Sequence, residues 1–215
     1  MSNLLEQLND DLARLNDLAL ASLVQIHNGR RGAGAGSIWH ADGLIVTNAH
    51  VVLTRQGQVA DSLSVTLQDG REFPARLLAH DTLYDLAALR VQATGLPTVA
   101  LGDSRRLRAG DLVLALGYPF GVKGGATSGV VIGTGAHLPE LGDARREWIA
   151  AGLHLRPGHS GGPMLDSEGR LVGINTLMTG PEVGAAVPVH VAVDFLKRAL
   201  GREAAVPPAN ATVLV

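Results

Sequence analysis

Between residues 21 and 188 the chain is cut into twelve short β-type runs by glycine, proline and polar punctuation, and none exceeds eight residues. A chain divided this finely leaves little room for long helices or α/β crossovers, so an all-β architecture is expected. The reading places strands at 23–26, 35–39, 44–47, 63–67, 72–79 and 86–91 in a first barrel of about residues 21–95. Asp69 and Gly70 mark a hairpin within it. Residues 95–110, with Gly95, Pro97, Gly102 and the solvated Arg105, Arg106 and Arg108, form the crossing. Strands at 112–116, 127–134, 148–153, 162–165, 171–176 and 184–187 then build a second barrel of about 111–188. Only 7 aromatic residues accompany 27 glycines, so Val, Leu, Ile and Ala must fill the cores.

Helices are expected at the two ends. Leu4, Leu5, Leu8, Leu12, Leu15, Leu18 and Leu20 recur at three- and four-residue steps, which predicts an amphipathic helix over about 3–20. A second helix is expected over 189–200, followed by a flexible tail at 201–215. Residues 137–146, polar and holding Pro139 and Gly142, read as an exposed loop.

Chemistry concentrates at three places. Ser160 lies in the glycine-rich run from Arg156 to Pro163, His50 follows Thr47, Asn48 and Ala49, and Asp85 opens the alternating stretch 85–91. A hydroxyl is a poor nucleophile near neutral pH, so acyl transfer needs a base, a carboxylate to orient it and amide donors for the oxyanion. His50 and Asp85 are each expected where a strand meets a loop, the position from which a rigid scaffold presents catalytic groups. The chain order His, Asp, Ser is one of several on which this geometry occurs, and it is the order of chymotrypsin-type barrels. The run Gly158 to Gly162 also satisfies the nucleophile elbow of α/β-hydrolases. That elbow needs a helix after the serine, and Gly161, Gly162 and Pro163 oppose one.

At these residues the chain resembles the HtrA (Deg) family of trypsin-like serine proteases over roughly residues 20–200. The resemblance rests on GAGSIWHADGLIVTNAHVV around His50, HDTLYDLAALRV around Asp85, LALGYPFG at 114–121 and GHSGGPMLDSEGRLVGINT from Gly158. It implies a chymotrypsin/trypsin-like double β-barrel. It also implies His50 as general base, Asp85 as its orienter, Ser160 as nucleophile and the Gly158 and Ser160 amides as oxyanion hole, with Asp81 the carboxylate to be set aside. Thr176, Leu177 and Met178 would offer a strand edge to substrate, and Leu155, Ala185 and Ala186 would wall the pocket for the residue before the cut. No acid stands at those positions, so small or medium aliphatic residues are expected there, and with them unfolded polypeptide as substrate.

The chain departs from that family at residue 159, where most members carry Asn and digestive relatives an Asp that pairs with a new N-terminus. His159 cannot supply that anion, so no proteolytic activation is expected. His159 reads either as a hydrogen-bonding spacer or as a pH-dependent switch. Family members also carry PDZ domains, whereas 15 residues follow Leu200 here. The aliphatic tail end, Val213 to Val215, would restrain activity if it occupied a neighbour's cleft. The resemblance further implies trimers through the N-terminal segment, although no aromatic anchor stands in it.

A net charge of −2 offers no cationic face, so no nucleic-acid partner is expected. No metal or other cofactor is expected either, since the eight histidines show no paired ligand spacing beyond His154 and His159, which lack partner carboxylates. Charged residues interrupt the first 25 positions and no apolar run spans a bilayer, which gives a cytoplasmic expectation, or periplasmic or secreted if the sequence is a trimmed piece. Two other functions stand beside the endopeptidase: a protease-like chaperone module with a resting site, and a small-ester hydrolase.

Overall fold

The structure is a computed structural model that describes residues 3–29, 34–138, 141 and 146–201. The expected tail, apart from Gly201, and most of the 137–146 loop lie outside the described residues.

Helix α1 (Leu4–Leu20) starts on a capping box: the Asn3 side chain accepts from Glu6 N–H, and the Glu6 carboxylate accepts from Asn3 N–H, each at 3.0 Å. Only its C-terminal half packs firmly, through Leu15 and Ala19, while Leu5, Leu8 and Leu18 stay exposed. Twelve strands follow. The first six are β1 (Leu23–His27), β2 (Gly34–His40), β3 (Leu44–Thr47), β4 (Ser64–Thr66), β5 (Glu72–Asp81) and β6 (Leu86–Val91). The second six are β7 (Leu112–Gly117), β8 (Gly125–Gly135), β9 (Trp148–Gly152), β10 (Pro163–Leu165), β11 (Leu171–Gly180) and β12 (Val183–Pro188). Each set closes on itself by antiparallel pairing, in the orders β1-β2-β3-β6-β5-β4 and β10-β11-β12-β9-β8-β7. This is the two-barrel, trypsin-like fold. Closure removes the free sheet edges that such short strands would otherwise present.

Three apolar clusters fill the molecule. One occupies the first barrel (Ile26, Ile38, Ile45, Val65, Leu89) and another the second (Val113, Ile149, Met164, Val172, Ala186). The third fills the seam between them with Leu23, Trp39, Leu44, Leu116 and Ile174, together with Phe195 and Leu196 of helix α3 (Val189–Leu200). Strands beside the seam are therefore buried on both faces. In β3, Leu44 and Val46 face the seam while Ile45 faces the barrel interior.

That packing corrects two expectations. The stretch after Asp85 does not alternate between core and solvent: Leu86 and Ala88 enter the seam, and Ala87 and Leu89 the barrel. His50 does not sit where a strand runs into a loop. It lies on a one-turn helix, α2 (Ala49–Val52), whose Ala49, Val51 and Val52 are buried against the first barrel.

Candidate active site

His50 and Asp85 come from the first barrel. Asp85 occupies the turn ahead of β6 with φ of 54°, a left-handed conformation that Asp tolerates better than most residues. From there its carboxylate grips the histidine twice: Oδ1 accepts the His50 main-chain N–H at 2.9 Å, and Oδ2 lies 2.7 Å from Nδ1. Docking the carboxylate on Nδ1 puts the ring proton there and leaves Nε2 with its lone pair. The imidazole stays about half exposed, whereas 16% of the Asp85 side chain is exposed.

Ser160 comes from the second barrel. Its carbonyl accepts Ala35 N–H at 2.8 Å, and the following Gly161 packs so tightly that an added Cβ would lie 2.1 Å from Thr47 Oγ1. These contacts bring the serine turn onto the segment that carries His50. Its hydroxyl, however, donates to the Thr176 carbonyl at 3.2 Å, and no hydrogen bond joins it to His50. The candidate base and carboxylate thus form a pair, while the candidate nucleophile is hydrogen-bonded to Thr176.

The amides expected to form the oxyanion hole sit on a fixed turn. Gly158 has φ of 107°, and an added Cβ there would lie 2.1 Å from the Tyr118 carbonyl oxygen, so only glycine fits. The carbonyls of Pro157 and Gly158 accept from Phe120 and Tyr118 N–H at 3.4 and 2.9 Å. Neither the Gly158 nor the Ser160 N–H has a hydrogen-bond partner among the described residues. Phe120 is itself held at φ of 55° and is strongly exposed, which places a strained residue directly against the turn.

The expected substrate residues divide. Leu155, Met178 and Ala186 share the apolar cluster of the second barrel, and the Leu155 N–H donates to Met178 Sδ at 3.1 Å. Ala185 points the other way, into the seam. Strand β10 pairs with β11 no further than Ile174, so Thr176, Leu177 and Met178 keep one edge unpaired while β12 occupies the other. A cavity of about 330 Å³ is lined by Gly158 together with Gln25, Gly34, Tyr118, Phe120, Gly121 and Pro157.

Asn48 and Thr176 hold this arrangement together, a role that the sequence reading did not assign. The fully buried Asn48 donates through Nδ2 to the Asp85 carbonyl at 2.9 Å and to Thr176 Oγ1 at 3.1 Å. Thr176 Oγ1 in turn donates to the Ile174 carbonyl at 3.0 Å. A polar residue two positions before His50 was the available signal.

Comparison with known proteins agrees with the geometry. A probable periplasmic DegP-like serine endoprotease of Halomonas elongata is 41% identical over 170 residues, covering 77% of this chain and 34% of that protein. The mitochondrial serine protease HTRA2 of Drosophila pseudoobscura pseudoobscura is 37% identical over 79% of this chain and 39% of its own length. The chain therefore spans little more than a third of the curated relatives it matches. Among solved structures, the HtrA-type protease AlgW with a decapeptide superposes with a TM-score of 0.78 at 28% identity, covering 88% of this chain and 68% of that one. AlgW with a tripeptide gives 0.77 at 32% identity, covering 89% and 64%. The names of the first two relatives place them in the periplasm and the mitochondrion, so they lend no support to a cytoplasmic location. Among the described residues no helix is long and apolar enough to cross a membrane. Residues 34–174, which take in most of both barrels, match the trypsin-like peptidase domain family, and the chain belongs to that family, with HtrA- and DegP-type proteases among its relatives.

Proposed function

We propose that the protein is a serine endopeptidase that cleaves unfolded polypeptide after small or medium aliphatic residues. The observation that carries this reading is the double grip of Asp85 on His50, which fixes the ring tautomer and leaves the Nε2 lone pair to act as the base. In the reaction Ser160 swings its hydroxyl from the Thr176 carbonyl to His50 Nε2, gives up its proton there and attacks the substrate carbonyl. The Gly158 and Ser160 amides receive the oxyanion. The imidazolium, stabilised by the still ionised Asp85, then protonates the leaving amine, and water releases the acyl group by the same route in reverse.

Substrate binds as an added strand on the open edge of Thr176 to Met178, a mode that reads main chain rather than sequence. Leu155, Met178 and Ala186 give the neighbouring wall its apolar character, and none of these three side chains carries a charge that would attract Lys or Arg. The names of the relatives, all serine proteases, support the reaction class.

Casein unfolded by reduction and a fluorophosphonate probe test the reading together. Wild type should cleave and label, and Ser160→Ala should do neither; a wild type that does neither refutes it. A second reading is favoured by the Ser160 hydroxyl lying on Thr176 instead of His50. In it the chain is a binding module with a resting site, which suppresses casein aggregation without labelling.

A further inference from the structure

His159 stands between the two candidate oxyanion donors yet has no part in the reaction described above. It is 1% exposed. Its ring Nδ1 lies 3.0 Å from Arg156 N and 3.2 Å from the Arg156 carbonyl oxygen, and its own main-chain N–H donates to that carbonyl at 2.9 Å. Side chain and main chain of one residue thus fasten on the same partner, and the four-residue turn is closed twice. The Arg156 amide hydrogen is fixed in place whereas the ring proton can move between nitrogens. Nδ1 is therefore the acceptor and Nε2 carries the proton. Nε2 is buried with no hydrogen-bond partner among the described residues.

The rest of the turn has no freedom to adjust. A Cβ on Gly117 would lie 2.5 Å from the Gly158 carbonyl oxygen and 2.6 Å from His159 Cα, so β7 presses directly on it. The groups that act on the ring are Arg156 on its own turn, His154 just upstream and the main chain of Gly125 from β8. Lys123, next to that strand, is drawn off to the Gln68 carbonyl, and the Tyr118 phenol, pushed up to about 12 by burial, stays neutral. No carboxylate is among them.

We propose that His159, as an uncharged imidazole accepting from the Arg156 amide, is a positioning residue that keeps the Gly158 and Ser160 N–H groups aimed at the reacting carbonyl oxygen. The proposal rests on the serine peptidase reading of the same site. It replaces an external ion pair with an internal acceptor, so the turn stays ordered without a newly cut N-terminus. A proton on Nδ1 would deprive the Arg156 amide of its acceptor and leave a buried cation beside another cation. Burial, the main cause, accordingly holds the His159 pKa below its ordinary value.

Asn places its Oδ1 as many bonds from Cβ as His places Nδ1, so it can take over the Arg156 amide without titrating. Leu fills similar space and accepts nothing. With a peptide substrate, His159→Asn should keep kcat within about threefold of wild type. His159→Leu should lose about 10²-fold in kcat with KM within about twofold, because the oxyanion contact matters only in the transition state. Equal activity of Leu and wild type, equal loss in both variants, or a loss confined to KM overturns the proposal.

Two further measurements stand if the Leu variant does not fold. Imidazole ¹H–¹⁵N spectra of wild type should show His159 protonated on Nε2 at neutral pH; a proton on Nδ1 overturns the proposal. With a folded-state pKa below 6.5, the native protein binds fewer protons than the unfolded chain as pH falls through that value, so stability is lost there. The urea midpoint of wild type should therefore drop more than that of His159→Asn between about pH 7.5 and pH 5, and equal drops count against the neutral clamp. If wild type neither cleaves nor labels, the peptidase reading fails by itself, while the spectra still report on the clamp.

Discussion

Asp81 and Asp85 stand four residues apart at one end of the first barrel, and their hydrogen bonds give them different work. Asp85 holds His50 through both oxygens, at 2.9 and 2.7 Å. Asp81 accepts the Leu83 and Tyr84 amides through Oδ1, at 2.9 and 3.1 Å, and so folds the turn that presents Asp85. Asp85→Asn should leave the fold intact and lower kcat on the order of 10⁴-fold, because an amide beside Nδ1 favours the wrong tautomer. Asp81→Asn should keep kcat within about tenfold, since its carbonyl oxygen can still accept those amides. Steady-state kinetics on one peptide substrate compares the two, and a similar loss in both would mean that Asp85 has no special role. The candidate base, carboxylate and nucleophile were legible because each lies in a short motif whose meaning is local. Asn48 was not legible as a brace, because its partners lie 37 and 128 residues away in sequence.

At the level of elements, α3 shows what periodicity conveys and what it leaves out. Its apolar face, with Val189, Ala192, Phe195 and Leu196 buried, announces a helix over the expected residues. The start of that helix is another matter. Pro188 at the N-cap has no side chain to satisfy the first amides, and Ser104, from the crossing between the barrels, supplies the missing oxygen. Ser104 Oγ accepts His190 N–H at 3.3 Å and lies 2.8 Å from His190 Nδ1, while Nε2 of the same ring lies 3.1 Å from Glu147 Oε2. A cap borrowed from 86 residues upstream leaves no trace in a local window. Helix α2 escaped notice for a different reason, since four residues are too few to show a helical period. Ser104→Ala should cost about 1 kcal/mol, seen as a fall of roughly 2–4 °C in Tm, with kcat unchanged. An unchanged Tm would mean that water serves α3 as well as the serine does.

The two barrels each close by their own hydrogen bonds, so the candidate site depends on how firmly one is seated on the other. Apolar packing in the seam is not directional, and the polar links across it fix the alignment. Gln68 Nε2 donates to Tyr118 Oη at 2.8 Å at one end of the cleft. Asn48 and Thr176 join at 3.1 Å beside the candidate triad. The second link matters more for catalysis, because Asn48 also holds the Asp85 carbonyl and Thr176 also receives the Ser160 hydroxyl. Asn48→Ala leaves buried acceptors without a donor and should cost about 1–3 kcal/mol; Thr176→Val leaves the Asn48 amide short of a partner and should cost a similar amount. If the bond between them aligns the barrels, the two losses do not add. A double-mutant cycle in urea should give a coupling of about 0.5–3 kcal/mol, and kcat in the double variant should fall little below that of the worse single one. Strictly additive losses would show that the bond between Asn48 and Thr176 has no part in seating the barrels.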